Sequence, residues 1–325
     1  MVQQKIALQR SAIMPSIQPK VQILLSTYNG EKYLSQQLDS LLSQTYPNIT
    51  IYIRDDGSKD DTLQIISHYA KASQDTSGPK IVFLPPDGKN LGYMSSFWLL
   101  LRECGSADYY AFCDQDDVWL PDKVECGIAA LEKEEAALPL LYSSSFIYCD
   151  ENMNFTGNPV EMSDHIAFKD VMFYTPAFGF TILINESLRQ KALSASSLDK
   201  IPHDGWCQKI AASMGKFIYD PRQTAKYRRH SSTVTYANSS KLQLIGKWIQ
   251  NDLFGIGLSE YYFILERFFE EYGSQLSPHD RKALELFRTH SGVKLRYFKK
   301  LFYPERLRPS LGGELALRIC FGVGR

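Results

Sequence analysis

Four short apolar runs, each breaking off into polar or acidic residues and each followed by a stretch of helical period, limit what this chain can become. Val21 to Thr27, Ile49 to Arg54, Lys80 to Leu84 and Tyr109 to Cys113 read as strands. A helix is expected over Glu31 to Ser43, where Tyr33, Leu34, Leu38, Leu41 and Leu42 share one face. A second starts at Ser58 and a third covers Met94 to Glu103. Repeated β-to-α passages imply a parallel sheet with right-handed crossovers, and so an α/β fold. Ser58 with Asp61 has the form of a capping box, and Asp60 and Asp61 suit the positive end of the helix they precede.

Ligands of open α/β sheets gather beyond the carboxyl ends of the strands, and two of those ends are acidic here. Asp55 and Asp56 follow the second strand, where a carboxylate can accept hydrogen bonds from a base or ribose. Asp114, Asp116 and Asp117 follow the fourth. Crowded carboxylates repel one another unless a cation neutralises them, and an all-oxygen set suits a hard ion such as Mg²⁺ or Mn²⁺, which can hold a diphosphate. The plainer alternative is a solvated loop or a helix cap, because Pro121 has the look of a first-turn proline. Lys89, in the turn-rich stretch Pro85 to Gly92, is either a phosphate or ribose contact or simply a solvated lysine.

Further on, a helix is expected from Pro121 to Ala137 and a strand over Leu140 to Cys149. A polar, irregular region to Asp170 follows, long enough for an acceptor-side lid. The chain re-enters the core at Phe178 to Ile184, with Gly179 permitting close backbone approach. His203 to Met214 reads as a helix in which Asp204 is placed to cap, and Phe217 to Tyr219 as a short strand. Tyr227 to Val234 is a basic, hydroxyl-rich loop suited to phosphate, where His230 on its own reads as a hydrogen-bonded bystander.

From Lys241 the pattern is helical, with Gly255 and Gly257 as kink points, and Ser277-Pro278-His279-Asp280 starts a further helix. Lys294, Arg296, Lys299, Lys300, Arg306 and Arg308 then alternate with apolar and aromatic residues. Such a tail either lies on an anionic membrane surface or packs against protein. Over the 325 residues, 36 Lys and Arg balance 36 Asp and Glu, so no nucleic-acid partner is expected. Six scattered cysteines without a CxxC fit a reducing, cytoplasmic setting. Residues 1–19 read as a loose leader without a signal-peptide core, and no segment has the length and apolarity to cross a bilayer.

Ser26 to Gly30, Tyr52 to Ser58, Cys113 to Trp119, His203 to Trp206 and Tyr227 to His230, in that order, resemble the motifs of the family 2 glycosyltransferases, closest to bacterial rhamnosyltransferase-like members. The resemblance implies a GT-A fold, a mixed but mainly parallel sheet flanked by helices, over residues 20–238, with a helical C-terminal extension over 239–325. By the same resemblance Thr27, Tyr28 and Asn29 border the nucleotide, Asp55 or Asp56 addresses the base, and Lys89 lies near it. Asp114 and Asp116 match the Asp-x-Asp pair, the last acid on the metal and the first nearer the ribose or sugar; Asp117 extends the motif and leaves the metal-binding acid open. Asp204 matches the catalytic base and His230 a late metal or diphosphate ligand. The family's usual Glu-Asp pair is His203-Asp204 here, and the Arg-Trp motif of processive members is missing.

The implied reaction is metal-dependent transfer from a nucleoside diphosphate sugar, dTDP-rhamnose first and a UDP sugar next, to a glycan or lipid-linked acceptor. In such a reaction Arg228, Arg229 or His230 would meet charge gathering on the leaving diphosphate, and a carboxylate on the opposite face would take the acceptor's proton. No second carboxylate is placed as a covalent nucleophile, so inversion is expected. Two other classes fit the same fold: a non-catalytic glycan-binding or scaffold subunit, which would tolerate loss of Asp204, and a nucleotidyltransferase, for which the chain lacks a Gly-rich triphosphate loop.

Overall fold

A computed structural model describes residues 18–230, 257–288 and 294–322. The expected leader up to residue 17, the loop residues Ser231 to Val234, the 238/239 boundary and the helical start at Lys241 lie outside the described residues. Strands β1 (Val21–Thr27), β2 (Ile49–Asp55), β3 (Lys80–Phe83) and β4 (Tyr109–Cys113) run parallel in the spatial order β3-β2-β1-β4. Helices α1 (Leu34–Leu42), α2 (Thr62–Gln74) and α3 (Tyr93–Glu103) connect them. Thr27 lies opposite Asp55 and Leu25 opposite Cys113, so three strand ends, and the acids that follow them, reach one rim of the sheet.

The rest of the sheet is mixed. After β5 (Val118–Trp119) come α4 (Lys123–Leu131), β6 (Leu140–Cys149), β7 (Phe155–Gly157) and α5 (Phe168–Met172). A tight turn over Gly179–Thr181 then leads into β8 (Ile182–Asn185), α6 (Glu186–Leu193), α7 (His203–Met214) and β9 (Lys216–Arg228). β8 is antiparallel to both β4 and β6, whereas β6 and β9 are parallel.

Side chains alternate between two cores, as a sheet covered on both faces requires. Val21, Ile23 and Leu25 of β1 join Leu34, Leu38 and Leu41 of α1 on one face, while Leu24 joins Phe97, Trp98 and Leu101 of α3 on the other. The second core continues into the C-terminal helices α8 (Gly257–Tyr272), α9 (Pro278–Phe287), α10 (Lys294–Leu301) and α11 (Leu311–Gly322). Trp206 of α7 meets Phe268 edge-on at 5.1 Å, and Phe173 packs against Phe287 and Phe321 at 5.4 and 5.5 Å. The extension therefore shares a core with the sheet. Even Lys300 of the expected basic tail is buried, its ammonium 4.4 Å from the Tyr262 ring.

Several local expectations are corrected. Ser58 does not cap α2; its hydroxyl bonds Asp55 instead, and Asp60 Oδ1 accepts the Thr62 amide at 3.1 Å. The helix after Pro121 stops at Leu131, and beyond it Asn185 Nδ2 donates to the carbonyls of Ala136 and Leu138 and the Ser187 hydroxyl to that of Ala137. β9 does not end at Tyr219. Asp220 pairs with Ser144 and Gln223 with Ser145, so Pro221 and Arg222 loop out as a bulge and the strand resumes to Arg228.

Phe268→Ala removes a ring buried between Phe168, Trp206 and Tyr272. A loss of about 3–5 kcal/mol is expected in denaturant unfolding, whereas a loss below about 1 kcal/mol would mean that the C-terminal helices are peripheral to the fold.

Candidate active site

The loops beyond β1, β2 and β4 are fastened to one another before any ligand is considered. Thr27 Oγ1 donates to Asp55 Oδ1 at 3.1 Å, and the other Asp55 oxygen accepts the amides of Gly57 and Ser58 at 3.0 and 2.8 Å. Asp56 accepts the amides of Leu91 and Gly92 at 2.7 and 2.8 Å and pairs with Arg54, which bonds Lys89 O in turn. These bonds, with Arg54 beside it, hold the Asp56 carboxyl below its ordinary pKa against its own desolvation. Asn29 takes the left-handed conformation (φ 47°), with its amide on Ser58 Oγ and its side-chain oxygen on Lys59 N.

Thr27, Asp55 and Asp56 are thus drawn into the frame of the site, and any base contact by either acid shares an oxygen already in use. Tyr28, Asn29 and Lys89 are the exposed members of the expected set.

At the end of β4 three aspartates separate by environment. Asp117 is fully buried and receives the Arg228 amide at 3.0 Å on Oδ1; among the described residues nothing bonds its Oδ2. Burial first, then the charges of Asp116 and Asp114, push its carboxyl well above the usual range. Asp116 stays partly open, and its Oδ2 is 2.8 Å from His230 Nε2. Asp114 is raised to about 7 by desolvation, then by Asp116 and Asp204. That last influence brings Asp204 of α7 within electrostatic reach of Asp114 at the rim of the sheet. The Tyr93 hydroxyl at the start of α3 is raised by its own desolvation first, then by Asp204, Glu260 and Asp114.

Arg228, expected near the nucleotide, is bonded within the protein. It is 3 % exposed, lies 4.5 Å over the Tyr33 ring, and spends its guanidinium on Asp116 O, Glu151 O and Gln36 Oε1. It props the acidic loop from behind. The motif's central residue was not singled out from sequence, although Gln115 grips the Tyr28 peptide at both ends, with 2.9 Å to N and 3.0 Å to O. Gly30 leaves room for it, since a Cβ there would overlap the Gln115 amide. Gln208 clamps Ala177 in the same way across the site, at 3.0 and 2.8 Å.

The donor set suits a hard divalent cation. Two carboxylates crowd until one holds a proton near neutrality, which a cation would relieve, and an imidazole sits beside the second. Among the described residues no three His, Cys, Asp or Glu side chains are gathered in coordination geometry. The residues fit as a partial site to be completed by a ligand's own oxygens.

Residues 22–176 match the model of the family described as "Glycosyl transferase family 2". Those residues form a family 2 glycosyltransferase domain. The chain is 29 % identical over 247 residues to the dTDP-rhamnosyl transferase RfbG of Shigella flexneri, covering 70 % of this chain and 82 % of that one. The fold is GT-A. S. aureus TarS 1-349, solved with UDP, superposes with a TM-score of 0.52 at 14 % identity, over 93 % of this chain and 89 % of that one. The mannosyltransferase PcManGT of Pyrobaculum calidifontis, solved with GDP-Man and Mn²⁺, gives 0.52 at 14 %, over 99 % and 93 %.

In this transferase His203 sits between Phe97 and Phe112, ring centroids 4.2 and 4.4 Å away, and no partner among the described residues bonds either ring nitrogen. Gly179 makes room, since a Cβ there would lie 3.0 Å from His203 Nε2. Desolvation lowers the imidazole to about 4 from 6.5, with Asp204 pulling the other way. The unfolded chain binds a proton below about pH 6.5 that the folded chain refuses until about 4, so His203 costs stability as pH falls through that window and nothing above it. His203→Leu should therefore lose less Tm than the wild type between pH 6.5 and 4.5; parallel melting profiles would show that the imidazole is hydrated or paired.

Proposed function

We propose that this transferase moves a sugar from a nucleoside diphosphate donor to a hydroxyl of a saccharide or lipid-linked acceptor in cell-surface polysaccharide synthesis. Mg²⁺ or Mn²⁺ would be held by Asp114 and Asp116, with His230 as a further ligand. The observation that carries this reading is the charge of Asp204, on α7, acting on Asp114 at the end of β4. A cation-binding edge and a candidate base then face the same space. The name of RfbG supports dTDP-rhamnose as first donor, and the UDP bound to TarS supports a UDP sugar as the next. Mn²⁺ in PcManGT supports the metal.

Within this chain Tyr28, Asn29 and Lys89 offer exposed contacts for base, ribose or phosphate, while Asp55 or Asp56 addresses the base through a shared oxygen. Neutralising the leaving diphosphate is what the ion supplies when bound. Arg228 acts on Asp116 by holding its carbonyl, and Gln115 fixes the Tyr28 wall. Asp204 accepts the acceptor's proton as the hydroxyl attacks, and a single displacement inverts the anomeric centre. Asp116→Ala should abolish metal-dependent donor binding in calorimetry. Asp204→Asn should keep donor affinity and lose about 10²–10⁴ in kcat; wild-type turnover in that variant would make the chain a binding subunit.

The acceptor reading places this enzyme in the cytoplasm at the inner membrane face. No described helix is long and apolar enough to cross a membrane. Support comes from α11, which exposes Leu311, Leu315 and Ile319 at 77 %, 63 % and 43 %, one turn apart. On neighbouring α10, Phe298 and Phe302 are exposed beside exposed Lys299. Deleting the tail would remove the buried Leu307, Leu317 and Phe321, so point changes are the better probe. Leu315→Asp with Ile319→Asp should reduce cosedimentation with phosphatidylglycerol vesicles severalfold at unchanged Tm, and undiminished binding would reject the membrane face.

A further inference from the structure

Tyr33 belongs by helical period to the apolar face of α1, yet it does not join Leu34, Leu38 and Leu41 in the core. It stays half-buried at the N-terminal end of that helix. Its ring centroid lies 4.9 Å from that of His230, with the planes tilted by 40°, and 4.5 Å from the guanidinium carbon of Arg228. The hydroxyl donates to Glu151 Oε1 at 2.9 Å, and Lys32 pairs with the same oxygen. A large aromatic that forgoes the core for such neighbours needs another reason to be there.

The neighbours supply it. His230 and Arg228 both grip Asp116, and they grip it at different ends. His230 Nε2 is 2.8 Å from Asp116 Oδ2, while Arg228 Nε donates to Asp116 O at 2.8 Å. Side chain and backbone of Asp116 are therefore held by two groups that meet on one ring. Gln36, three residues further along α1 and on the same side of it, accepts from the Arg228 guanidinium as well. Flat groups such as imidazole and guanidinium find a matching surface on an aromatic ring, which an aliphatic side chain does not offer. Metal ligands depend on the groups behind them for their orientation, and losing one such group costs about 10–100-fold in metal affinity.

We propose that Tyr33 is a positioning residue whose ring braces His230 and Arg228, so that Asp116 and His230 are presented together to a divalent cation. The inference rests on the cation reading of Asp116 given above. It makes the ring the working part, because among the described residues the hydroxyl reaches only Glu151.

Mn²⁺ retained by the full chain in equilibrium dialysis, measured alone, with dTDP and with UDP, separates the possibilities without any need for turnover. In Tyr33→Leu the half-saturating Mn²⁺ concentration should rise about tenfold at unchanged Tm. Tyr33→Met should behave alike, which guards against a packing defect peculiar to leucine. Tyr33→Phe keeps the ring and loses the hydroxyl, and it should stay within about twofold of the wild type. Unchanged Mn²⁺ binding in both aliphatic variants, a loss that merely follows a fall in Tm, or an equal loss in Tyr33→Phe overturns the proposal. Asp116→Ala retaining Mn²⁺ like the wild type, or a wild type retaining none in all three conditions, would instead sink the cation reading itself. Lost binding in Asp116→Ala with unchanged binding in Tyr33→Leu and Tyr33→Met sinks only the role of Tyr33.

Discussion

Like charges gathered at one rim of the sheet are the constraint that the rest of the structure answers. Desolvation first and neighbouring charges next raise Asp114 and Asp117, with Asp116 acting on both and Asp204 on Asp114, and the acids beyond β4 are compensated differently. Asp117 is buried under the Arg228 peptide, Asp116 shares an oxygen with His230, and Asp114 drifts toward neutrality. Lys123, buried at the start of α4 and donating to the Ser144 and Thr224 hydroxyls, adds a positive charge felt by Asp117. Carboxylates left partly uncompensated on the open side would be neutralised by a cation arriving with an anionic ligand.

Precision in such a site comes from the walls. Two glutamines, Gln115 and Gln208, each hold a backbone peptide by both ends, and Asp55 and Asp56 staple the loops after β2 and β3 to the loop after β1. Every one of these groups is polar and spent internally, which is how a loop-built pocket can keep its shape without a hydrophobic interior of its own. The bulge in β9 serves the same end, since it carries Arg228 level with Cys149 and behind the acidic loop.

The C-terminal helices contribute more than a tether. They complete the second core through Phe268, Phe287 and Phe321, and Glu260 of α8 reaches the electrostatic neighbourhood of Tyr93 at the pocket. Sheet, α7 and α8 therefore form one packed unit, in which α7 bears Asp204 on its outer turn and Trp206 in the core.

Period alone identified the first four strands and their crossovers, because residues such as Leu24 and Ile23 must alternate between two cores whatever the tertiary detail. The motif order identified the family, and the acids at the strand ends identified the rim. What local pattern could not decide was which polar groups are spent inside the protein. Arg228 and Asp55 look like ligands in the sequence and are bonded into the frame, whereas Gln115 looks like filler and meets the site only through the fold. Donors and acceptors are shared out by long-range neighbours, and a chain read one residue at a time does not contain those distances.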